Sequence, residues 1–413
     1  MTQTISTERT TSAPGLLRTA GLPYFLIAFV ARLPFAMMVV GVLTVVVSAR
    51  GTLALGGLTS AAVGLGTALI GPFLGAAADR FGQRPALIAA AVLNATMLAV
   101  FAVVVYSPAP DLVLLLSAFG IGASAPQVSP MSRARLVTII SERMPEQARA
   151  RTLSATMSYE SAADEMVFVF GPFLVGLLAS LIAPWAPIAI ASALTLLFVG
   201  AFALHPTARH VSAARREDGT APSAVSELFR PALLVVVVGI FGVGLFFGST
   251  LTALTSFMAD RDAAEQAGLL YGIMGIGSAV LALGVAWLPP RFSLRARWLA
   301  FAVTLAAGAV IVATASSVLL MCVALAIVGI GVGPTIVSLY SLGASRSPLG
   351  RSATVMTMLG SGVVVGQALA SAVTGEVAER LGTPTALLLP AVAAGLVLTA
   401  GVVNWFLTPA PRW

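Results

Sequence analysis

Residues 71–85 read GPFLGAAADRFGQRP, a short charged segment between two long apolar runs. Gly71 and Gly75 are four positions apart, so on a helix they share one face and allow a second helix to approach closely. Asp79 suits a place opposite a helix N-terminus, where the helix dipole favours a carboxylate. Gly82 permits a tight turn before the next apolar run. The segment therefore predicts two helices joined by a tight turn, with a glycine face packed against a further helix.

The composition is that of a protein embedded in a membrane. Hydrophobic residues make up 58% of the 413 residues and charged residues only 9%, whereas soluble domains carry about 25% charged residues. All 23 basic residues are Arg, a codon-bias indication of a GC-rich bacterial genome, so we expect a multi-pass protein of a bacterial plasma (inner) membrane. The single cysteine, Cys322, excludes an intramolecular disulfide and a cysteine-based metal cluster.

Twelve apolar runs are long enough to cross the bilayer, which takes roughly 20 residues of helix. They lie near 21–48, 53–78, 86–106, 112–132, 152–182, 186–205, 231–258, 268–288, 298–315, 318–342, 352–375 and 384–407. With both termini in the cytoplasm, 19 Arg residues fall on the cytoplasmic side, three fall outside, and Arg32 lies within the membrane. This positive-inside pattern accounts for the net charge of +7 without a nucleic-acid partner. We therefore expect an all-α membrane protein with twelve transmembrane helices.

The chain divides into two similar halves. The predicted units are a cytoplasmic tail (1–20), a six-helix bundle (21–205), a cytoplasmic linker (206–230), a second six-helix bundle (231–407) and a cytoplasmic tail (408–413). Short matches relate the two bundles, such as Gly-Ile-Gly at 120–122 and 329–331, and Ser-Ala-Thr at 154–156 and 352–354. Many transporters are built from such repeats, so we expect two pseudo-symmetric bundles.

The opening segment resembles the signature loop of the major facilitator superfamily, G-x-x-x-G-x-x-x-D-R-x-G-x-R, between transmembrane helices 2 and 3. The matching positions are Gly71, Gly75, Asp79, Arg80, Gly82 and Arg84. The two halves and the central linker extend the resemblance to the whole chain. It implies a substrate cavity between the halves, lined by helices 1, 4, 7 and 10 with help from helices 2, 5, 8 and 11. It also implies that Asp79 contacts the start of helix 11, near Arg351 and Ser352, and holds the cytoplasmic side closed.

Four ionisable side chains lie at membrane depth, where charges are costly and are functional candidates. Arg32 is on helix 1, and Glu160, Asp164 and Glu165 are on helix 5. Glu160 and Asp164 share a helix face, whereas Glu165 points about 100° away from Asp164. We expect Arg32 to pair with Asp164 or Glu160, which leaves at least one carboxyl able to load and release a proton. The alternatives are an ion-pair network that only fixes helix 1 against helix 5, and direct binding of an anionic substrate by Arg32.

Helices 4 and 5 carry further indications. The sequence GPFLVG at 171–176 resembles in part a Gly-Pro motif on helix 5 of drug/proton antiporters, which favours an exporter, although close packing explains the same residues. Its motif positions are Gly171, Pro172 and Gly176. Helix 4 departs from those antiporters, because Leu116 and Phe119 stand where they carry an Arg and a Gln. Arg133 and Arg135 are expected near the cytoplasmic end of helix 4.

Further cavity contacts are expected from polar and aromatic side chains of both halves. They are Gln127, Tyr159, Phe241, Phe246, Tyr271, Tyr340 and Gln367. A polar wall in the first half and an apolar wall in the second favour a small organic substrate that is amphiphilic or anionic. Each aromatic and Gln127 has the alternative of packing between helices.

No other chemistry is indicated. The chain has no phosphate-binding Gly-Lys-Ser/Thr sequence, and its two His residues lie at a loop edge, so we expect no ATP drive, no metal and no cofactor. The sequence therefore predicts a monomeric secondary transporter rather than an enzyme, with the proton as coupling ion and export as the direction. The alternatives are a metabolite importer, by uniport or proton symport, and a non-transporting membrane sensor or scaffold.

Overall fold

The computed structural model describes residues 16–51, 53–209, 223–263, 267–289 and 291–407. Residues 1–15 and 408–413 of the predicted tails, and 210–222 of the predicted linker, lie outside these ranges. A short helix, Leu16–Ala20, precedes the first membrane span.

The twelve predicted apolar runs are helical, and we number the spans helix 1 to helix 12. Their bounds are Leu22–Val30 and Leu33–Arg50 (1), Leu53–Phe81 (2), Gln83–Tyr106 (3), Asp111–Ala123 and Val128–Arg143 (4), Glu146–Leu181 (5), Ala186–Leu204 (6), Pro231–Ala259 (7), Ala267–Gly284 (8), Leu294–Ala313 (9), Val318–Ser345 (10), Ser352–Leu381 (11) and Leu389–Leu407 (12). Among the described residues, eleven of these spans meet the length and hydropathy expected of a membrane-crossing helix; helix 5, with its charged residues, is not one of the eleven. Helix 5, which carries the intramembrane acids, has 36 residues and is about 54 Å long at 1.5 Å per residue. The fold is therefore the predicted all-α membrane fold.

Helices 1 and 4 are interrupted along their course. Helix 1 stops at Val30 and resumes at Leu33, so Arg32 lies at the break. Helix 4 stops at Ala123 and resumes at Val128, and the break contains a proline, which disfavours helical backbone before it. Interrupted helices release backbone polar groups, which membrane proteins tolerate where the chain lines a cavity.

Helix 4 is longer than its apolar run predicts. The helix continues to Arg143, and Arg133 and Arg135 are buried, with exposures of 2% and 0%. The prediction that these two arginines lie at the cytoplasmic end is therefore wrong. Arg135 instead donates to Gln83 Oε1 at 2.9 Å and to the Phe202 carbonyl at 3.0 Å. The apolar run in the sequence ends at these two arginines, which is why the prediction ended the helix there. In the structure, other side chains surround the two arginines, and the helix continues past them.

The glycine face of helix 2 packs against helix 11, as its spacing predicts. A Cβ at Gly71 would lie 2.7 Å from Ser361 Oγ, and a Cβ at Gly75 would lie 2.9 Å from the backbone carbonyl oxygen of Ala353. Both distances are too short for a real side chain, so glycine is what allows the two helices to lie this close. Gly82 makes the turn to helix 3 with a φ of 94°, a conformation that favours glycine.

Polar contacts join the two halves at the helix ends that are expected to face the cytoplasm. Asp79, in the last turn of helix 2, accepts hydrogen bonds from the backbone amides of Ala353 (3.1 Å) and Thr354 (2.8 Å) and from the Thr354 hydroxyl (2.5 Å). The expected contact between Asp79 and the start of helix 11 is thus present. Arg297 of helix 9 donates to Ser154 Oγ of helix 5 at 3.2 Å. Both contacts join the first half to the second at their cytoplasmic ends.

The two arginines of the signature loop lie at the surface. Arg80 and Arg84 are exposed, and the Arg80 guanidinium carbon lies 5.3 Å from the centre of the Phe81 ring. Their positions suit the cytoplasmic surface, which the positive-inside pattern predicts for them.

Arg50 caps the outer end of helix 3. Its guanidinium donates hydrogen bonds of 2.8–3.2 Å to the backbone carbonyls of Val104, Val105, Ser107 and Ala109. The last carbonyls of a helix have no partner within the helix, and the dipole favours a cation there. Arg50 therefore ties the end of helix 1 to the end of helix 3.

Candidate functional site

A cavity of about 140 Å³ lies between the two halves. The first half lines it with Arg32, Phe35, Pro126, Gln127, Val128, Ser129, Pro130, Arg133, Ser161, Asp164 and Val167. The second half lines it with Phe247, Ile336, Tyr340, Gly360, Val363 and Val364. All charged lining residues belong to the first half, so the cavity has one polar wall and one largely apolar wall.

Arg32 contacts both acids that face it from helix 5. Its Nη2 lies 2.5 Å from Glu160 Oε2, and its Nη1 lies 3.3 Å from Asp164 Oδ1. The four-residue spacing puts the two carboxyls on one face of helix 5, so a single guanidinium can reach both. The Arg32 side chain is only 3% exposed, and ion pairs attract more strongly where water is excluded.

A second arginine, Arg133 of helix 4, completes this group. Its Nη2 lies 2.7 Å from Asp164 Oδ2, and its Nη1 donates to Ser129 Oγ at 2.6 Å. Ser129 donates in turn to Asp164 Oδ2 at 2.6 Å. We call Arg32, Arg133, Glu160 and Asp164 the charge cluster. When all four groups are ionised, two cations balance two anions, whereas the sequence predicts one cation among the acids.

The two acids of the charge cluster differ in their access to the cavity. The Asp164 side chain is 21% exposed and lines the cavity, whereas Glu160 is 0% exposed. Glu160 Oε1 accepts a hydrogen bond from Ser132 Oγ at 3.0 Å, and the same hydroxyl lies 2.8 Å from the Tyr24 hydroxyl. Asp164 is therefore the carboxylate that faces the cavity, and Glu160 is buried and pairs with Arg32 away from it.

The cavity wall has spare hydrogen-bond donors. Arg32 Nε, Arg133 Nε and the Ser161 hydroxyl have no hydrogen-bond partner among the described residues. These three atoms are themselves buried, and a buried donor without an acceptor costs about 1–3 kcal/mol. Among all residues that the structure describes, no group of three or more His, Cys, Asp or Glu side chains is placed to hold a metal ion.

Two of the cavity residues predicted from the sequence line this cavity. Gln127 lies at the break of helix 4, and its Nε2 donates to the Ala125 carbonyl at 3.1 Å. Tyr340 of helix 10 lines the opposite wall, and the Arg133 guanidinium carbon lies 3.9 Å from the centre of its ring. Tyr340 thus connects the second half directly to the charge cluster.

The other predicted contacts are not part of the cavity lining. They are Tyr159, Phe241, Phe246, Tyr271 and Gln367. Tyr159 directs its hydroxyl to the Phe25 carbonyl at 3.4 Å. Phe246 is fully buried, and its neighbour Phe247 reaches the cavity instead, because adjacent residues of a helix point about 100° apart. A substrate role for these five residues stays a prediction.

The remaining candidates lie on helix 5. The side chains of Glu165 and Pro172 lie outside the described residues. Gly171 packs against helix 1, since a Cβ there would lie 2.5 Å from the Cβ of Ala36. A Cβ at Gly176 would meet no atom within 4 Å. Within the described residues, the Gly-Pro motif therefore contributes close packing beside the charge cluster.

Sequence reasoning missed Arg133, Ser129 and Ser132 as partners of the acids. Ser129 and Arg133 are four residues apart on helix 4, the same one-face spacing as Glu160 and Asp164 on helix 5. That matching spacing was the available signal, but the apolar run ends before Arg133, and the prediction placed this residue near the cytoplasmic end of helix 4.

Twelve helical spans, two halves and a charge cluster beside a cavity define a membrane transporter. The sequence profile of the Major Facilitator Superfamily matches residues 24–362, so the chain belongs to this superfamily. It is a multi-pass secondary transporter for a small molecule and not an enzyme, as the signature loop led us to expect.

Solved structures share this fold at low sequence identity. The human organic anion transporter MFSD10 (TETRAN) is 20% identical with a TM-score of 0.71, covering 95% of this chain and 100% of that chain. The proton:xylose symporter XylE is 14% identical with a TM-score of 0.70, covering 95% and 96%. The E. coli fucose:proton symporter FucP is 18% identical with a TM-score of 0.63, covering 94% and 99%. No curated protein matches the chain.

Proposed function

We propose that the protein exchanges protons for a small amphiphilic organic compound across a bacterial plasma membrane and exports the compound. The observation that carries this proposal is the charge cluster, in which Asp164 faces the cavity between two buried arginines. The partial resemblance of residues 171–176 to the helix-5 motif of drug/proton antiporters supports export. The protein works as a monomer, because one chain supplies both walls of the cavity.

Asp164 is suited to hold a proton and a substrate in turn. Its ionised carboxylate accepts contacts from Arg32, Arg133 and Ser129, and protonation removes the negative charge on which the two arginine contacts depend. A substrate with a cationic or hydrogen-bond-donating group needs the ionised form. The proton and such a substrate therefore compete for one carboxylate, which couples their movements in opposite directions.

The second half supplies the apolar part of the binding surface. Phe247, Ile336 and Val363 face the charge cluster across the cavity. Apolar walls with a few convergent polar groups are typical of small-molecule sites. An amphiphilic compound would place its polar group at Asp164 and its apolar body against helices 7, 10 and 11.

Co-transport of an organic anion with a proton is the second candidate. The two guanidinium groups in the cavity lining favour it, since a guanidinium suits a carboxylate or a phosphate. Protonation of Asp164 would leave the charge cluster with a net positive charge, which an anion would balance, so proton and anion would bind together. The fold shared with a human organic anion transporter and with the xylose and fucose proton symporters supports this candidate as an analogy. In this mode the protein would act as an importer.

Proton movement in proteoliposomes separates the two candidates. The purified protein is reconstituted with a pH-sensitive dye inside, and cationic, neutral and anionic organic compounds are added outside without an imposed gradient. Exchange carries protons out as the compound enters, so the internal pH rises; co-transport carries protons in, so the internal pH falls. The direction of the internal pH change is the same for both orientations of the protein in the liposome, because the added compound sets the direction and the transporter works in both directions.

Asp164→Asn tests the residue that carries the proposal. We expect compound-driven proton movement to be lost in this variant. Asp111→Asn is the matched control, because it removes an equal charge at an exposed site at the outer start of helix 4. Wild-type proton movement in Asp164→Asn would show that this carboxylate does not couple the proton to transport.

A further inference from the structure

We propose that Arg133 is a positioning residue whose contact with Tyr340 holds the two halves together only while Asp164 is ionised. The proposal rests on the proposed function, in which Asp164 gains and loses a proton. It assigns to Arg133 and Tyr340 the link between the charge of the site and the closure of the cytoplasmic side.

Arg133 contacts both halves of the protein at once. Within the first half, its Nη2 pairs with Asp164 at 2.7 Å and its Nη1 donates to Ser129 Oγ at 2.6 Å. Toward the second half, its guanidinium carbon lies 3.9 Å from the centre of the Tyr340 ring. A cation within about 6 Å of an aromatic face is attracted to it, and more strongly where both are desolvated. Arg133 is 2% exposed and Tyr340 is 5% exposed, so this attraction is shielded from water.

The surroundings make the position of the guanidinium depend on Asp164. The ion pair and the shared hydroxyl of Ser129 hold Arg133 on two sides, and Arg133 Nε has no further partner among the described residues. Nearby, helix 4 touches helix 11, where a Cβ at Gly360 would lie 3.3 Å from Pro130 Cγ. The guanidinium thus lies in a close interface and is aligned under Tyr340 by its anion.

Other charged groups around Asp164 do not replace it as a partner for Arg133. The titratable groups facing Asp164 are Arg32, Arg133, Glu160, Tyr159 and Tyr340. The lining residues from helices 7 and 11 carry no charge; they are Phe247, Gly360, Val363 and Val364. Glu160 is the other anion of the charge cluster, and it is engaged by Arg32 and by Ser132.

Protonation of Asp164 therefore changes the contact between the halves. A neutral carboxyl no longer fixes Arg133 under the Tyr340 ring, and the remaining anion, Glu160, is already engaged by Arg32 and Ser132. The guanidinium then loses its alignment with the ring, and the attraction across the interface weakens. A proton at the cavity would in this way favour opening of the cytoplasmic side, and its loss would favour closing.

The test measures the distance between the halves as a function of pH. In a Cys322→Ser background, spin labels are placed at Gln147→Cys and Leu349→Cys, two exposed positions near the cytoplasmic ends of opposite halves. Distance distributions in lipid nanodiscs then give the ratio of open to closed protein. For the wild type, we expect this ratio to rise as the pH falls, and for Asp164→Asn we expect it to stay high at every pH.

Tyr340→Leu removes the aromatic face, and Tyr340→Phe is its matched control, which keeps the ring and lacks the hydroxyl. We expect Tyr340→Leu to raise the open-to-closed ratio about tenfold at high pH and to flatten its pH dependence. Tyr340→Phe should titrate like the wild type. Arg133→Lys tests the same contact from the other side, since an ammonium cannot hold Asp164 and the ring in the same geometry, and should resemble Tyr340→Leu.

The outcomes distinguish this proposal from the proposed function. A pH-dependent opening that Asp164→Asn abolishes, but that Tyr340→Leu and Arg133→Lys leave unchanged, would overturn the link through Arg133 while keeping Asp164 as the proton site. A pH-dependent opening that persists in Asp164→Asn, or an opening with no pH dependence in the wild type, would overturn both. Thermal unfolding of each variant identifies a loss of folding, and in that case the remaining variant decides.

Discussion

The substitution Asp79→Asn should shift this transporter toward the state that is open to the cytoplasm. In the structure, the Asp79 carboxylate accepts three hydrogen bonds from Ala353 and Thr354 at the start of helix 11, a contact that we expect only in the state closed to the cytoplasm. Asparagine keeps one acceptor oxygen, loses the negative charge, and turns an NH2 group toward donors. In the open state the side chain is hydrated in either form, so the loss falls mainly on the closed state.

The size of the shift follows from these hydrogen bonds. A hydrogen bond to a charged group contributes about 1.5–3 kcal/mol, and the interaction of a carboxylate with a helix N-terminus about 0.3–1 kcal/mol. One carbonyl oxygen still accepts a bond after the substitution, so we expect a net loss of about 2 kcal/mol. A tenfold change in an equilibrium corresponds to about 1.4 kcal/mol, so the open-to-closed ratio should rise roughly thirtyfold.

The label pair at Gln147 and Leu349 measures this ratio directly. Thr354→Val removes one of the three hydrogen bonds, that of its hydroxyl, and should give a smaller shift of about tenfold, the lower end of the range for a hydrogen bond to a charged group. Asp111→Asn changes the net charge equally at an exposed outer position and should give none. An Asp79→Asn protein with the wild-type distance distribution, or with altered substrate preference alone, would refute the gating role of this carboxylate.

Three further substitutions test other contacts: the packing of helix 2 on helix 11, the cap of helix 3, and a hydrogen bond next to Glu160. Gly75→Ala should also raise the open-to-closed ratio, because its methyl group would meet helix 11 at distances that a side chain does not tolerate; the same spin-label measurement checks this. Arg50→Gln should lower the thermal unfolding midpoint, by a loss of about 1–2 kcal/mol for the carbonyls of helix 3 that lose their donor, whereas Arg380→Gln at an exposed site should not. Tyr24→Phe should lower the midpoint slightly, by about 1 kcal/mol for one buried hydrogen bond, and leave proton coupling intact; loss of coupling in this variant would place Tyr24 on the proton path.

The site was predictable from the sequence only in part. The one-face spacing of Glu160 and Asp164 is a property of any helix, and the cost of charges in lipid marks Arg32 and these acids as a group that must find partners. The sequence could not show that Arg32 would contact both acids, because that depends on the distance and rotation of helix 1 against helix 5. Close approach at Gly171 and Ala36 sets that distance.

Arg133 shows where pattern reading fails in a membrane protein. A run of apolar residues ends at the first charges, and the end of a run is normally the end of a span. Here the helix continues and its arginine enters a site whose anion comes from a different helix. The hydropathy of a segment describes the cost of placing that segment alone in lipid. It does not include the stabilisation that a carboxylate on a neighbouring helix gives to an arginine.

The sequence by itself determined the number of spans, their orientation and the signature loop. These follow from local quantities, since a helix must satisfy its backbone in lipid and arginines mark the cytoplasmic side. Even the role of Gly71 and Gly75 as a packing face is local, because it needs only their spacing. Only the tertiary structure decided that Arg32 contacts both acids of helix 5, that Asp164 lies between Arg32 and Arg133, and that Tyr340 joins the second half to them. Each of these contacts connects residues far apart in the chain, and their energies depend on the few ångströms that the packing of twelve helices sets.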